Sequence, residues 1–236
     1  LRVEFYSEHR GGEGMGDTVS IVFDGPAGVG KSTIAKALAR KLGYTYVDSG
    51  AMYRAVTLFA LEQGVPIDAE HQQEMLALIE TADFEFIFVD GGLRIFYGPR
   101  DLTEDVRSRE VTGMVSHAAA LPEVRRGMCA LQRQMANSSN VVMEGRDIGT
   151  VVLPMATYKF FLTASAEVRA MRRYQELMAK GIEIDFATVL KEITERDRLD
   201  SSRKYAPLCK ADDAIELDTS GLDADEVLSL VLSIIK

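Results

Sequence analysis

The chain has 236 residues, 47% hydrophobic and 27% charged, with a formal net charge of −9. That is enough for one large domain, or a core with an insertion, and its core needs no disulfide or metal staples. The acidic balance argues against broad nucleic-acid binding, and no apolar run reaches the roughly 18 residues that a membrane span needs. The two cysteines, Cys129 and Cys209, lack metal-ligand spacing and fit a reduced, cytoplasmic protein.

Residues 1–17 open poorly for a domain. Gly11-Gly12-Glu13-Gly14-Met15-Gly16-Asp17 is polar and glycine-rich, with no signal-peptide core. A flexible extension is expected there, with the functional unit starting near Met15. Val19-Ser20-Ile21-Val22-Phe23 reads as a buried strand. Gly25-Pro26-Ala27-Gly28-Val29-Gly30-Lys31-Ser32 follows and fits G-x-x-x-x-G-K-[ST] at every fixed position. Thr33 to Ala39 continues as a helix. Strand, glycine-rich turn and helix form the context of a phosphate site. Backbone N–H groups and the helix N-terminus face an anion, Lys31 reaches the β- and γ-phosphates, and the Ser32 hydroxyl meets Mg²⁺.

A second strand, Tyr44 to Val47, ends at Asp48-Ser49-Gly50, and a helix runs from about Ala51 to Gln63. Ala69 to Thr81 reads as a helix. Phe84 to Val89 and Leu93 to Tyr97 flank Asp90-Gly91-Gly92, an antiparallel hairpin signature out of place in a parallel sheet. Residues 66–106 are therefore expected to form a small α+β insertion. Helices are expected at about 108–120 and 122–136. Strands resume at Val141-Val142-Met143 and Tyr158 to Leu162, then helices at about 166–179 and 185–200. A strand at Ala214 to Leu217 and a helix from about Asp223 to Ile235 close the chain. Five short apolar strands alternating with helices imply a parallel sheet covered on both faces.

Polar clusters follow the strands, where open α/β sheets bind ligands. Asp48-Ser49 also suits a helix N-cap, and Arg54 a solvated helix position. Glu144-Gly145-Arg146-Asp147 follows the third parallel strand. Arg196, Asp200 and Arg203 share one helical face, as a binding surface or a salt-bridged exterior. Arg169, Arg172 and Arg173 share another, as phosphate ligands or a face braced by Glu167 and Glu176. N-K-x-D is absent, as is the protein-kinase set, and His9, His71 and His117 have no metal spacing.

The phosphate loop, Asp48 to Arg54, Glu144 to Val152 and Glu195 to Arg203 together resemble the bacterial cytidylate kinases, within the nucleoside monophosphate kinases. The likeness runs from about Val19 to the C-terminus. It implies a parallel sheet of the P-loop NTPase type with helices on both faces. The core would span 18–65 and 107–236, with a helical lid at about 168–205 and a monophosphate-binding insertion at 66–106. It implies ATP on Gly25 to Thr33 with Mg²⁺ as cofactor. Arg54, Arg146 and Arg203 would hold the acceptor phosphate, Arg196 and Asp200 would meet the ribose, and Ser49 would belong to the same pocket. Ser116, Arg125 and Asp147 would read cytosine, and Arg169 together with Arg172 or Arg173 would close on the donor phosphates. Cytosine chemistry agrees: an acceptor-only carboxylate suits N4, and a donor-only guanidinium suits N3 and O2. The expected reaction is ATP with CMP or dCMP to ADP with CDP or dCDP, in a cytoplasmic monomer without nucleic-acid or membrane partners. The alternatives are a kinase for UMP, AMP or an alcohol on the same scaffold, and a nucleotide-binding module without catalysis.

Overall fold

A computed structural model describes residues 2–4, 18–89 and 92–235. In chain order its elements are β1 (Arg2–Glu4), β2 (Ser20–Asp24), α1 (Lys31–Leu42), β3 (Thr45–Asp48), α2 (Ser49–Gln63), α3 (Gln72–Thr81), β4 (Phe84–Val89), β5 (Gly92–Tyr97) and β6 (Arg100–Asp101). They continue with α4 (Arg109–Ala118), α5 (Pro122–Ser138), β7 (Val141–Glu144), β8 (Tyr158–Thr163), α6 (Ala166–Ala179), α7 (Phe186–Ser201), β9 (Ile215–Asp218) and α8 (Ala224–Ile234). A 3-10 turn covers Asp105–Arg107 and a single π turn covers Ile148–Val152.

The five strands read from the sequence form one sheet in the order β3-β7-β2-β8-β9, with β2–β8 and β8–β9 parallel. The hairpin belongs to a separate sheet in the order β1-β4-β5-β6. Strand β1 pairs parallel to β4, a contribution from the chain's first residues that no sequence pattern announced. The glycine-rich stretch within 5–17, and the hairpin tip at Asp90-Gly91, lie outside the described residues.

Packing divides the chain into two compact units. The first takes Leu1–Ser20 and Ala39–Met143, and so contains the 66–106 segment. Its hairpin obeys a period of two: Phe84 and Phe86 on β4, and Leu93 and Ile95 on β5, are buried. The Phe59 ring of α2 meets Phe84 edge-on at 5.4 Å and Tyr97 at 4.6 Å. Each fully buried Phe contributes about 1.5–3 kcal/mol. Helix α2 is apolar over most of its surface because α3, α4 and α5 pack against it. Asp48 starts α2 by accepting from the Ala51 N–H at 2.9 Å, and Gly64 ends it at φ +69°.

The second unit takes Ile21–Leu38 and Glu144–Lys236. Ile21, Val22 and Phe23 have no exposed surface, as expected of a parallel strand covered on both faces. Phe23 stacks on Phe160 of β8 at 5.2 Å. Helices α6 and α7 form a hairpin around their own small core of Ala170, Leu177, Val189 and Ile193, with Tyr174 and Phe186 packed on it. No helix among the described residues is long and apolar enough to cross a membrane.

Helix α8 begins with a reciprocal capping box. The Glu226 N–H donates to Asp223 Oδ1 at 2.9 Å, and the Asp223 N–H donates to Glu226 Oε2 at 2.8 Å. Asp223→Ala removes one half of it. The expected cost is about 1 kcal/mol, a fall of roughly 2–4 °C in Tm for a chain of this size. Thermal unfolding checks it; an unchanged Tm would mean that the cap contributes nothing to the stability of the cooperative unit.

Candidate active site

Strand β2 delivers the chain to Gly25, where the backbone must turn hard against β8. Gly25 sits at φ +142°, and a Cβ there would lie 2.2 Å from the Leu162 carbonyl oxygen. Gly28, at φ +75°, is pressed against Arg169, whose Cβ would stand 3.2 Å from an added methyl. No other residue fits either place without moving backbone.

The loop's acceptor side is tied to protein donors. Lys31 Nζ donates to the carbonyls of Gly25 at 2.9 Å and Pro26 at 2.8 Å. Arg169 donates to the Ala27 carbonyl at 3.0 Å, and the Thr219 hydroxyl lies 3.1 Å from the Val29 carbonyl. The Ala27 N–H donates to Asp197 Oδ1 at 3.4 Å. Lys31 is almost wholly buried. Burial first, then repulsion from Arg146, pushes its ammonium down to about 7, with Arg196 acting the same way and Glu144 and Asp24 opposing. Ser32 and Thr33 are exposed in the first turn of α1.

Three arginines gather on one carboxylate in the same unit. Asp200 is 1% exposed. Its Oδ2 accepts from Arg146 Nε at 2.9 Å and lies 4.0 Å from Arg196 Nε, and its Oδ1 accepts from Arg203. Arg196 and Asp200 share a face of α7, but the helix ends at Ser201, so Arg203 lies past it and off the i, i+4, i+7 face expected from the sequence. Guanidiniums gathered at a carboxylate have the fork geometry that suits a phosphate group. Asp147 and Glu144 are both buried beside Arg146 in the chain.

The three α6 arginines divide. Arg169 is buried, its guanidinium spent on the Ala27 and Ala164 carbonyls and on Asp197 Oδ2 at 2.5 Å. Arg172 donates to the Thr219 carbonyl at 2.6 Å and to its hydroxyl at 3.1 Å. Arg173 stays at the surface, paired with Glu176 at 3.0 Å. In this structure Arg169 and Arg172 brace the loop and the β9–α8 connection, a different employment from the closing role expected of them.

The first unit carries the other expected residues. Ser49 is buried at the start of α2. Arg54 donates to the Thr112 hydroxyl at 3.4 Å. Ser116 of α4 and Arg125 of α5 are buried; Arg125 donates to the Ala119 carbonyl at 3.2 Å and stands 5.7 Å from the centre of the Tyr53 ring. Sequence reasoning gave no role to Asp24, Asp197 or Thr219. The signal available for Asp24 was an apolar strand ending on a carboxylate immediately before Gly25; Asp197 and Thr219 had none beyond their neighbours.

Comparison with known proteins agrees with this geometry. The profile of the family described as cytidylate kinase matches residues 21–236. A cytidylate kinase of Clostridium botulinum is 50% identical over 219 residues, covering 92% of this chain and 98% of that protein. One from Carboxydothermus hydrogenoformans is 49% identical over 215 residues, covering 91% and 96%. One from a Geobacillus species is 47% identical over 221 residues, covering 94% and 98%. With a phosphate loop, an arginine cluster and a match along nearly its whole length, the chain belongs to the cytidylate kinase family.

Proposed function

We propose that this protein transfers the γ-phosphoryl group of ATP to CMP or dCMP, releasing ADP with CDP or dCDP. The observation that carries the reading is the trio Arg146, Arg196 and Arg203 around the single carboxylate of Asp200, in the unit that also holds the phosphate loop. Guanidiniums grouped in this way match the oxygens of a phosphate.

The attacking group is a phosphate oxygen that is already anionic, so the reaction needs no general base. The work is to bring two polyanions together and to stabilise a metaphosphate-like transfer. Lys31 exchanges its two loop carbonyls for the donor phosphates. Arg146 and Arg203, with Arg54, hold the acceptor phosphate, while Arg196 and Asp200 hold the ribose. Asp147 accepts from cytosine N4, and Arg125 with Ser116 serves the N3 and O2 edge. Arg173 is the α6 arginine assigned to the donor phosphates, since freeing Arg169 would strip the Ala27 carbonyl of its partner.

No group of three or more His, Cys, Asp or Glu side chains is placed to hold a metal among the described residues. The exposed Ser32 hydroxyl is a hard oxygen donor that fits a cation carried in by phosphate. Ser32, phosphate oxygens and water would hold Mg²⁺, which when bound neutralises phosphate charge. A cytoplasmic monomer is part of the same proposal; neither Cys129 nor Cys209 forms a disulfide.

Lys31→Ala is expected to lower kcat by on the order of 10³-fold or more with little change in thermal unfolding. A coupled assay of ADP and CDP formation measures it, and near-normal turnover would remove the donor-site assignment. Asp147→Asn is expected to erase most of the preference for CMP over UMP. A site built to hydrogen-bond a substrate group can reject an analogue lacking it by roughly 10⁴-fold. The ratio of kcat/KM for the two nucleotides reads this directly; an unchanged ratio places base recognition on other residues.

A further inference from the structure

Asp24 ends β2, one residue before the phosphate loop, and is 5% exposed. Its carboxylate reaches the segment after β7 instead of pairing with a cationic side chain. Oδ1 accepts from the Ile148 N–H at 2.9 Å and Oδ2 from the Gly149 N–H at 2.7 Å. Those two groups open the π turn that directly follows Arg146 and Asp147. Inside the turn, the Asp147 carbonyl accepts from the Val151 and Val152 N–H groups and the Ile148 carbonyl from the Leu153 N–H. The first donors of the turn thus have no partner within it, the ordinary condition of a helix start.

An aspartate at that start usually caps its own helix. Asp147 occupies the N-cap position and makes no side-chain capping bond. Asp24, 123 residues earlier in the chain, does the capping in its place. The fit is close: a Cβ on Gly149 would lie 3.4 Å from Asp24 Oδ2 and 3.2 Å from Lys159 Cδ. The two carboxylates also sense each other. Burial raises the Asp24 carboxyl to about 6, the Gly149 and Ile148 N–H groups draw it down, and the charge of Asp147 adds to the rise.

We propose that Asp24 is a positioning residue for the acceptor nucleotide. By taking the Ile148 and Gly149 N–H groups it sets the backbone that carries Arg146 and Asp147. The proposal rests on the reading that Arg146 and Asp147 contact CMP. It assigns to a residue beside the donor loop a function on the acceptor side.

Asp24→Asn keeps the shape but offers one acceptor and one NH₂ group, so one buried N–H then faces a donor. The expected result is a rise of about tenfold to a hundredfold in KM for CMP, a lower CMP over UMP preference, and a KM for ATP within about twofold of the parent. Asp24→Glu, which keeps the charge but carries the carboxylate one methylene further than the 2.9 Å and 2.7 Å contacts allow, is expected to act in the same direction and decides the matter alone if Asp24→Asn does not fold. In the double variant Asp24→Asn with Asp147→Asn, the loss of preference is expected to be no greater than in Asp147→Asn alone. If Asp147→Asn leaves the preference intact, the reading of the base site has failed. If Asp147→Asn lowers it while Asp24→Asn and Asp24→Glu leave CMP binding as in the parent, or weaken ATP and CMP equally, the positioning role is overturned.

Discussion

The buried carboxylate of Asp200 is the interaction on which the candidate site turns. Taking an ion out of water costs several kcal/mol even after relaxation, and direct bonds to guanidiniums offset that cost. Asp200 holds Arg146 and Arg203 by direct bonds and keeps Arg196 within 4.0 Å. Lys31 faces the same difficulty, since burial and Arg146 both disfavour its charged form. Polyphosphates carry the charge that suits such a gathering of cations. Preorganisation of this kind is paid in folding stability, not at the moment of reaction.

Holding such a site requires a loop that cannot collapse onto its own donors. The carbonyls of Gly25, Pro26, Ala27, Val29 and Gly30 all accept from protein: Lys31, Arg169, Thr219 and the Ile34 N–H. An anchored acceptor side fixes the orientation of the peptide planes, and with it the direction of their N–H groups. Thr219 comes from the end of β9 and Arg169 from α6, so strands and helices distant in sequence set the shape of six residues. Asp24 extends the same logic to the next segment along the sheet edge.

What the sequence made legible was local. The phosphate loop, the period-two hairpin and the five strands each lie within a short window, where spacing dictates geometry, whereas helical spacing placed Arg203 on a face of α7 that ends at Ser201, two residues short of it. The alternative reading of Asp48 as an N-cap was also correct in its own terms: the side chain caps α2. Spacing could not tell which of Arg169, Arg172 and Arg173 face solvent. All three share a helical face, and burial by a loop 142 residues away distinguishes the first from the third. The π turn at 148–152 was invisible for a similar reason. Its N-terminal donors are satisfied by Asp24 at the end of β2, so the Asp147 that stands at its N-cap gives no sign of the bonds that form.

The strut on Ala27 also ties phosphate binding to the helical hairpin. Arg169 on α6 and Asp197 on α7 bond to each other and grip the two sides of one peptide residue, carbonyl and N–H. The α6–α7 pair has its own apolar core and so moves as a body if it moves at all. Any displacement at its base must then pull on the loop at Ala27, or break a buried guanidinium–carboxylate contact. Whatever phosphate does to the loop is felt by the hairpin through the same two side chains, because coupling between sites is reciprocal.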